Sequence, residues 1–271
     1  VNAPLSADFD LPGDRRGAPA HWCEQWSFDA VFPDPDHGGV MLGVAVSVGR
    51  RPATGRGWYH AVVVGPGRAT VFVIDTDLVL GGGAGGLELR SPGLWADHNA
   101  SAALGHWTVA AEAFGVALDD PWDAWGRAFG TPQPVGLDLE WDPVVSPHVP
   151  ADGSADDAGS WWVGCEVHGV VLVGDERHEV TGYGTRGRSW GPAVPVAEGH
   201  RRVWWCDGAG RWRHAAGAAP IGADGVASLV PPVRSVTAWA PVLGAGDQRL
   251  IQALVACDDG ESAGAGWLVQ R

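Results

Sequence analysis

The sequence predicts an all-β protein organised as two barrel-like halves. Strand-length apolar segments recur along the chain and are punctuated by glycine, proline and aspartate, which favour turns over continued helix. Within the segments, residues alternate at period two. In Trp22-Cys23-Glu24-Gln25-Trp26-Ser27-Phe28, for example, Trp22, Glu24, Trp26 and Phe28 share one face. A polar stretch bearing three prolines, Asp142 to Ser160, has the composition of a linker and separates two such series.

The first series runs through Trp22 to Phe28, Gly39 to Val48, Gly57 to Gly65, Thr70 to Ile74, Leu87 to Arg90 and Gly93 to Asn99. Leu104 to Leu118 alternates His106, Thr108, Ala110 and Glu112 against Trp107, Val109, Ala111 and Ala113, so a long, bent strand is expected there. Asp119-Asp120-Pro121-Trp122 is the best helix start, with aspartate at the cap and proline in the first turn. Leu137 to Trp141 closes the half as a short strand. The second series comprises Trp161 to Val173, Arg177 to Tyr183, Arg202 to Cys206, Val226 to Val230, Val233 to Trp239, Leu250 to Ala256 and Gly266 to Gln270. Gly174-Asp175 and Asp207 to Gly210 are expected as tight turns between strands. The expected organisation is therefore a domain over 1–142, a linker over 143–160 and a domain over 161–271. Trp22-Cys23-Glu24 is echoed by Trp162-Val163-Gly164-Cys165-Glu166, the mark that an internal duplication would leave.

Composition narrows the function. Forty-five per cent apolar and 18 % charged residues describe a globular chain. No apolar run approaches the roughly 20 residues of a spanning helix, so no membrane insertion is expected. Val1 to Pro19 lacks the basic-then-apolar order of a signal peptide, and a cytoplasmic location is the expectation. A formal net charge of −14 repels phosphate backbones and argues against nucleic acid as a partner. Every basic residue is arginine. Without lysine there is no Schiff base, no pyridoxal phosphate linkage and no Walker-type phosphate-binding lysine. Cys23, Cys165, Cys206 and Cys257 form no C-x-x-C pair, and the ten histidines form no ligand-spaced cluster, so neither a metal nor another cofactor is expected. The glycine run Gly81 to Gly86 lacks the strand-then-helix setting and downstream acid of a dinucleotide fingerprint and is expected to be a loop.

Thr181-Gly182-Tyr183-Gly184-Thr185-Arg186-Gly187-Arg188-Ser189-Trp190-Gly191 resembles the G-x-G-x-R-D-H-S-W-G signature of the lipocalin-like family that includes carotenoid 1,2-hydratase (hydroxyneurosporene synthase), AttH-type proteins and natural-product Diels–Alderases. Trp22-Cys23-Glu24, Leu137-Asp138-Leu139-Glu140-Trp141, Val167-His168-Gly169 and Gly264-Ala265-Gly266-Trp267 extend the likeness over most of the chain. The resemblance implies two lipocalin-like antiparallel β-barrels in tandem. It also implies chemistry on an apolar natural product without a cofactor. This chain departs from the signature where it carries acid and imidazole: Gly187 and Arg188 stand in place of Asp and His, and Ala193 in place of a following Arg. Alkene hydration through that pair is closed to it. Pericyclic chemistry, which needs shape and one or two hydrogen-bond donors, is not.

Sixteen tryptophans are the strongest compositional anomaly and can both fill a barrel core and wall an apolar ligand site. The expected substrate-binding residues are Trp22, Trp26, Trp58, His60 and Trp190. The expected catalytic residues are Glu24, a carboxylate between two tryptophans on one strand face, and Tyr183, Arg186 and Arg188, which would orient a polar head group. The leading functional expectation is a cofactor-free cyclase or isomerase acting on an apolar small molecule. A non-catalytic carrier of hydrophobic ligands, and a hydratase or lyase with its acid moved to Glu24, Asp138 or Glu140, are the alternatives. Oligomeric state has no signal in the sequence.

Overall fold

The computed structural model describes residues 5–12, 17–34, 39–79, 86–125, 129–149, 159–192, 200–207, 210–218, 233–243 and 249–270. Ten strands form the first sheet: β1 (Trp22–Pro33), β2 (Val40–Arg51), β3 (Arg56–Val64), β4 (Thr70–Val79), β5 (Gly86–Ser91), β6 (Leu94–Ala100), β7 (Trp107–Leu118), β8 (Thr131–Pro143), β9 (Gly159–Val173) and β10 (Glu176–Pro192). Five form the second: β11 (His200–Asp207), β12 (Trp212–Ala218), β13 (Val233–Leu243), β14 (Arg249–Asp258) and β15 (Ala263–Gln270).

The first sheet runs β4-β3-β2-β1-β10-β9-β8-β7-β6-β5, all neighbours antiparallel, and then meets itself. β7 is long enough to hold two partners on one edge. Its first half, Trp107 to Ala113, pairs with β6, and its last residues, Val116 to Leu118, pair with Phe72 to Thr70 of β4. The β4–β7 pairing turns eight strands into a ring, with the β5–β6 hairpin attached at one side. The second sheet, β12-β11-β15-β14-β13, is open.

This corrects the expected fold. The protein is all-β, but it is not two tandem barrels. The sheets also do not divide at 143–160, because β9 and β10 lie within the first sheet, hydrogen-bonded to β8 on one side and β1 on the other. The stretch that reads as linker is partly structural. Val144 N–H donates to Gly164 O at 3.0 Å, and His148 pairs with Trp162 along β9. Residues 150–158 and the expected strand Val226 to Val230 lie outside the described residues. The expected helix after Asp119 is a single 3-10 turn, Pro121–Trp125.

Period-two alternation gives the ring an apolar inside and a distinct outside. Trp26, Phe28, Phe32, Trp107, Trp141 and Trp161 point inward and are buried with the Val and Leu positions of the other strands. Outward residues fall into rows across the strands. One row is Gly164-Thr185-Asp29-Ala45-Val62; the next is Trp162-Gly187-Ser27-Ser47-His60. Nearly all are small at their centre, and the second sheet lies on them with its tryptophans. A Cβ on Gly43 would stand 2.9 Å from Trp267, and one on Gly164 would stand 2.6 Å from Trp212. The Trp267 indole N–H donates to Ala30 O at 2.8 Å, fixing the docking. Among the described residues no helix is long and apolar enough to cross a membrane.

Gly43→Val is expected to prise the sheets apart at Trp267 and to cost about 1–3 kcal/mol, the usual penalty of overpacking. Urea denaturation followed by tryptophan emission checks it; an unchanged midpoint would refute the close approach.

Candidate functional site

The sequence-expected residues divide between two places. The first is one end of the ring, which a short N-terminal segment closes. Ser6 caps a 3-10 turn, Ala7–Phe9, and Asp10 follows, fully buried. Arg186 of β10 donates from Nη1 to Asp10 Oδ1 at 2.8 Å and from Nη2 to Gly105 O at 3.0 Å. The Trp107 indole donates to Asp10 Oδ2 at 2.9 Å, Trp26 to Asp10 O at 2.9 Å and Trp161 to Phe9 O at 3.0 Å. Phe9 stacks on Trp190 at 5.2 Å. One register step along, Glu24 is held between Arg188, at 2.9 Å, and Arg50. Arg188 lies over Trp26 and Trp190, and Arg186 over Trp107 and Trp161, each 4.8–5.6 Å from the ring centroid. Thus Glu24, Arg186, Arg188, Trp22, Trp26 and Trp190 are brought together, and the described contacts of both arginines run to the closing segment, Gly105 O, Glu24 and aromatic faces.

Trp58, His60 and Tyr183 are elsewhere, on the outside of the ring. Trp58 packs flat on Gly49 with Arg51 above it at 5.1 Å. Tyr183 meets Trp212 edge-on at 6.2 Å. His60 faces Gln252 of β14 across the seam between the sheets.

That seam holds the second cluster, and Asp29 is its centre. The odd-numbered residues of β1 face outward, so Asp29 lies opposite the Glu24–Trp26–Phe28 face, beneath the second sheet and only 4 % exposed. Burial pushes its carboxyl up to about 6, with Arg202 and Trp204 of β11 facing it and pulling partly back. Ser47, on β2, is the direct cross-strand partner of His60. Burial lowers the His60 imidazole to about 4, so it is neutral at pH 7. Among the described residues, Ser47 Oγ is buried without a hydrogen-bond partner, while the His60 imidazole meets the Gln252 side chain through a hydrogen bond that pulls it partly back up. A buried polar atom left unmatched costs about 1–3 kcal/mol, so Ser47 carries a cost of that order in an apolar seam. The walls are apolar: Trp204, Trp267 and Leu254 above, Ala45 and Val62 below.

Sequence reasoning missed Asp29, Asp10, Ser47 and Gln252. Asp29 carried a signal: it is the one acid inside the continuous apolar run Phe28 to Phe32, the mark of a strand buried on both faces. Asp10, in a polar, glycine- and proline-bearing stretch, carried none. Burial pushes the Cys165, Cys206 and Cys257 thiols up to about 12 and also raises Cys23, against the pull of Arg51, so each is held away from the reactive thiolate. No group of three His, Cys, Asp or Glu side chains converges to hold a metal among the described residues. The loop residues Gly81 to Gly85, and Ala193, lie outside the described residues.

Residues 13–218 match a family model described as a domain of unknown function, DUF7064. The chain belongs to that family. A structure of a Nitrosomonas europaea protein assigned as AttH aligns with 99 % of this chain and 98 % of its own at 13 % identity, with a TM-score of 0.52. This chain therefore shares its fold with that AttH-type protein. CghA, in complex with Sch210972, aligns over 92 % of this chain and 87 % of its own at 11 % identity and a TM-score of 0.41. No curated protein matches.

The covered carboxyl has a measurable cost. Its pKa is raised in the fold, so the stability it contributes is complete below the unfolded value near 4 and is lost as pH rises through about 6. Asp29→Asn cannot ionise. It is expected to exceed the wild type in stability by on the order of 2–3 kcal/mol at pH 8, with the difference fading towards pH 4. Urea melts at the two pH values check this; a variant less stable at pH 8 would contradict the covered carboxyl.

Proposed function

We propose that the protein is a cofactor-free isomerase or cyclase that holds an apolar small molecule in the seam between its sheets and moves a proton with Asp29. The observation that carries this reading is Asp29 itself, a carboxyl set among tryptophans with its pKa brought to about 6. A general acid works best when its pKa lies near the working pH, and burial is the usual way a fold brings a carboxyl there. Asp29 pairs with Ala45 and His60 with Ser47, so the two lie two strand spacings and two residues apart, or about 12 Å. A conjugated substrate spanning that distance would receive a proton from Asp29 at one end and lose one to neutral His60 at the other. Solvent then resets both groups. Cationic charge developing between them would face the Trp204 ring, whose quadrupole favours it. Gln252 and Ser47 would fix a carbonyl or hydroxyl on the substrate. In this reading Glu24, Arg186 and Arg188 act by closing the ring rather than by touching substrate. Four free cysteines fit a cytoplasmic setting.

A steroidal β,γ-unsaturated ketone is a suitable apolar probe, because proton transfer converts it to a conjugated enone visible in the ultraviolet. Conversion is expected to persist in chelator, to fall about tenfold per pH unit above pH 6, and to drop at least ~100-fold in Asp29→Asn. Conversion indifferent to Asp29→Asn would overturn the assignment. Quenching of tryptophan emission with the ketone returned unchanged would leave a carrier instead.

A further inference from the structure

On the outside of the ring, β7 and β8 lie open: Glu112, Phe114, Pro134, Asp138 and Glu140 are all exposed. One row of outward residues there runs Trp95-Glu112-Gly136-Leu172, from β6 to β9. Three strand spacings make it roughly 14 Å long. Gly136 leaves a gap in the row, and Leu172 leans over it, since a Cβ on Gly136 would stand 2.9 Å from Leu172 Cδ1. Phe114, two residues beyond Glu112, lies on the same face. Its backbone N–H donates to Gly93 O at 2.9 Å, which ties the β5–β6 turn to the end of the row. Together these residues line a cleft of about 620 Å³. That is the size of a small-molecule site.

Charge decides what the cleft would take. Arg90, at its β5 edge, donates from Nε and Nη2 to Glu88 Oε1 at 2.9 and 2.6 Å. Arg177, the cross-strand partner of Leu172 at the other edge, lies 3.6 Å from Glu179. Both cations are thus already matched. Glu112 stands between them, and among the described residues no arginine or histidine pairs with it. It has Trp95 opposite on β6 and Phe114 beside it on β7. A carboxylate flanked by aromatic rings suits an ammonium group, which pairs with the one and is drawn to the quadrupoles of the others. Phe114 is 73 % exposed and Leu172 40 %, so an apolar body bound beside them would bury large side chains now in water.

We propose that this cleft binds an amphiphilic amine, a small organic molecule with one ammonium group on an apolar body. The ammonium would pair with Glu112 between Trp95 and Phe114. The body would lie across Gly136 to Leu172, two strand spacings or about 10 Å away. The net charge of −14 concentrates such cations around the protein and repels anions. No residue of the cleft belongs to the seam around Asp29, so binding here is independent of the reaction proposed there.

4-Phenylbutylamine and 4-phenylbutan-1-ol are matched probes, alike in their apolar body and different in charge. At low ionic strength the amine is expected to bind roughly tenfold more tightly than the alcohol by titration calorimetry. It is also expected to shift the Trp95 indole resonance in a ¹⁵N spectrum, identified by its loss in Trp95→Phe. Glu112→Gln, a change at an exposed position, is expected to bring the amine down to the affinity of the alcohol and to leave the alcohol unchanged. Asp29→Asn is expected to leave both probes unchanged. Failure of the amine to bind, equal binding of the two probes, or amine binding that leaves Trp95 unmoved would each overturn the proposal. So would amine binding undiminished in Glu112→Gln or lost in Asp29→Asn.

Discussion

The fold depends on one steric match, tryptophans of the second sheet against small residues on the outside of the ring. Gly43 and Gly164 leave room that Trp267 and Trp212 occupy, and no side chain could stand there without displacing them. Large aromatic area laid on backbone gives strong burial without deep interdigitation. It also leaves polar residues such as Asp29, Ser47 and His60 covered once the sheet is down. The seam's chemistry is a consequence of that docking, since on an open ring the same side chains would be solvated.

The ring's closure explains why this chain uses arginine. Asp10 and Glu24 are fully buried, and a buried carboxylate needs a partner that fills several lone pairs at once. The guanidinium does so while its flat face rests on Trp26, Trp107, Trp161 and Trp190. An ammonium could pair but not stack in the same way. Gly187 and Arg188, where the signature this segment resembles has acid and imidazole, belong to the same arrangement. Arg188 reaches Glu24, whereas Gly187 sits where a Cβ would strike Trp161 O at 2.5 Å.

Much of this was legible from residue order. Period-two alternation located most strands, and the face shared by Trp22, Glu24 and Trp26 is a true inward face. Strand pairing was not legible, because it is decided by contacts far apart in sequence. Nothing local in Gly159 to Pro192 says that its strands bond to β1 and β8. For the same reason the motif around Trp190, conspicuous as sequence, gave no hint that Arg186 answers Asp10, 176 positions away. Asp29 was within reach of the pattern, but only if the run Phe28 to Phe32 is taken as buried on both faces. What covers its outer face comes from β11, which local sequence does not place there.

The central claim is that the second sheet covers Asp29. A ¹³C NMR titration of the Asp29 carboxyl, assigned by its loss in Asp29→Asn, reads that cover directly. A midpoint near 6 is the expected result. A midpoint near the ordinary aspartate value of about 4 would mean that the carboxyl is solvated, and the seam would then be no enclosed site.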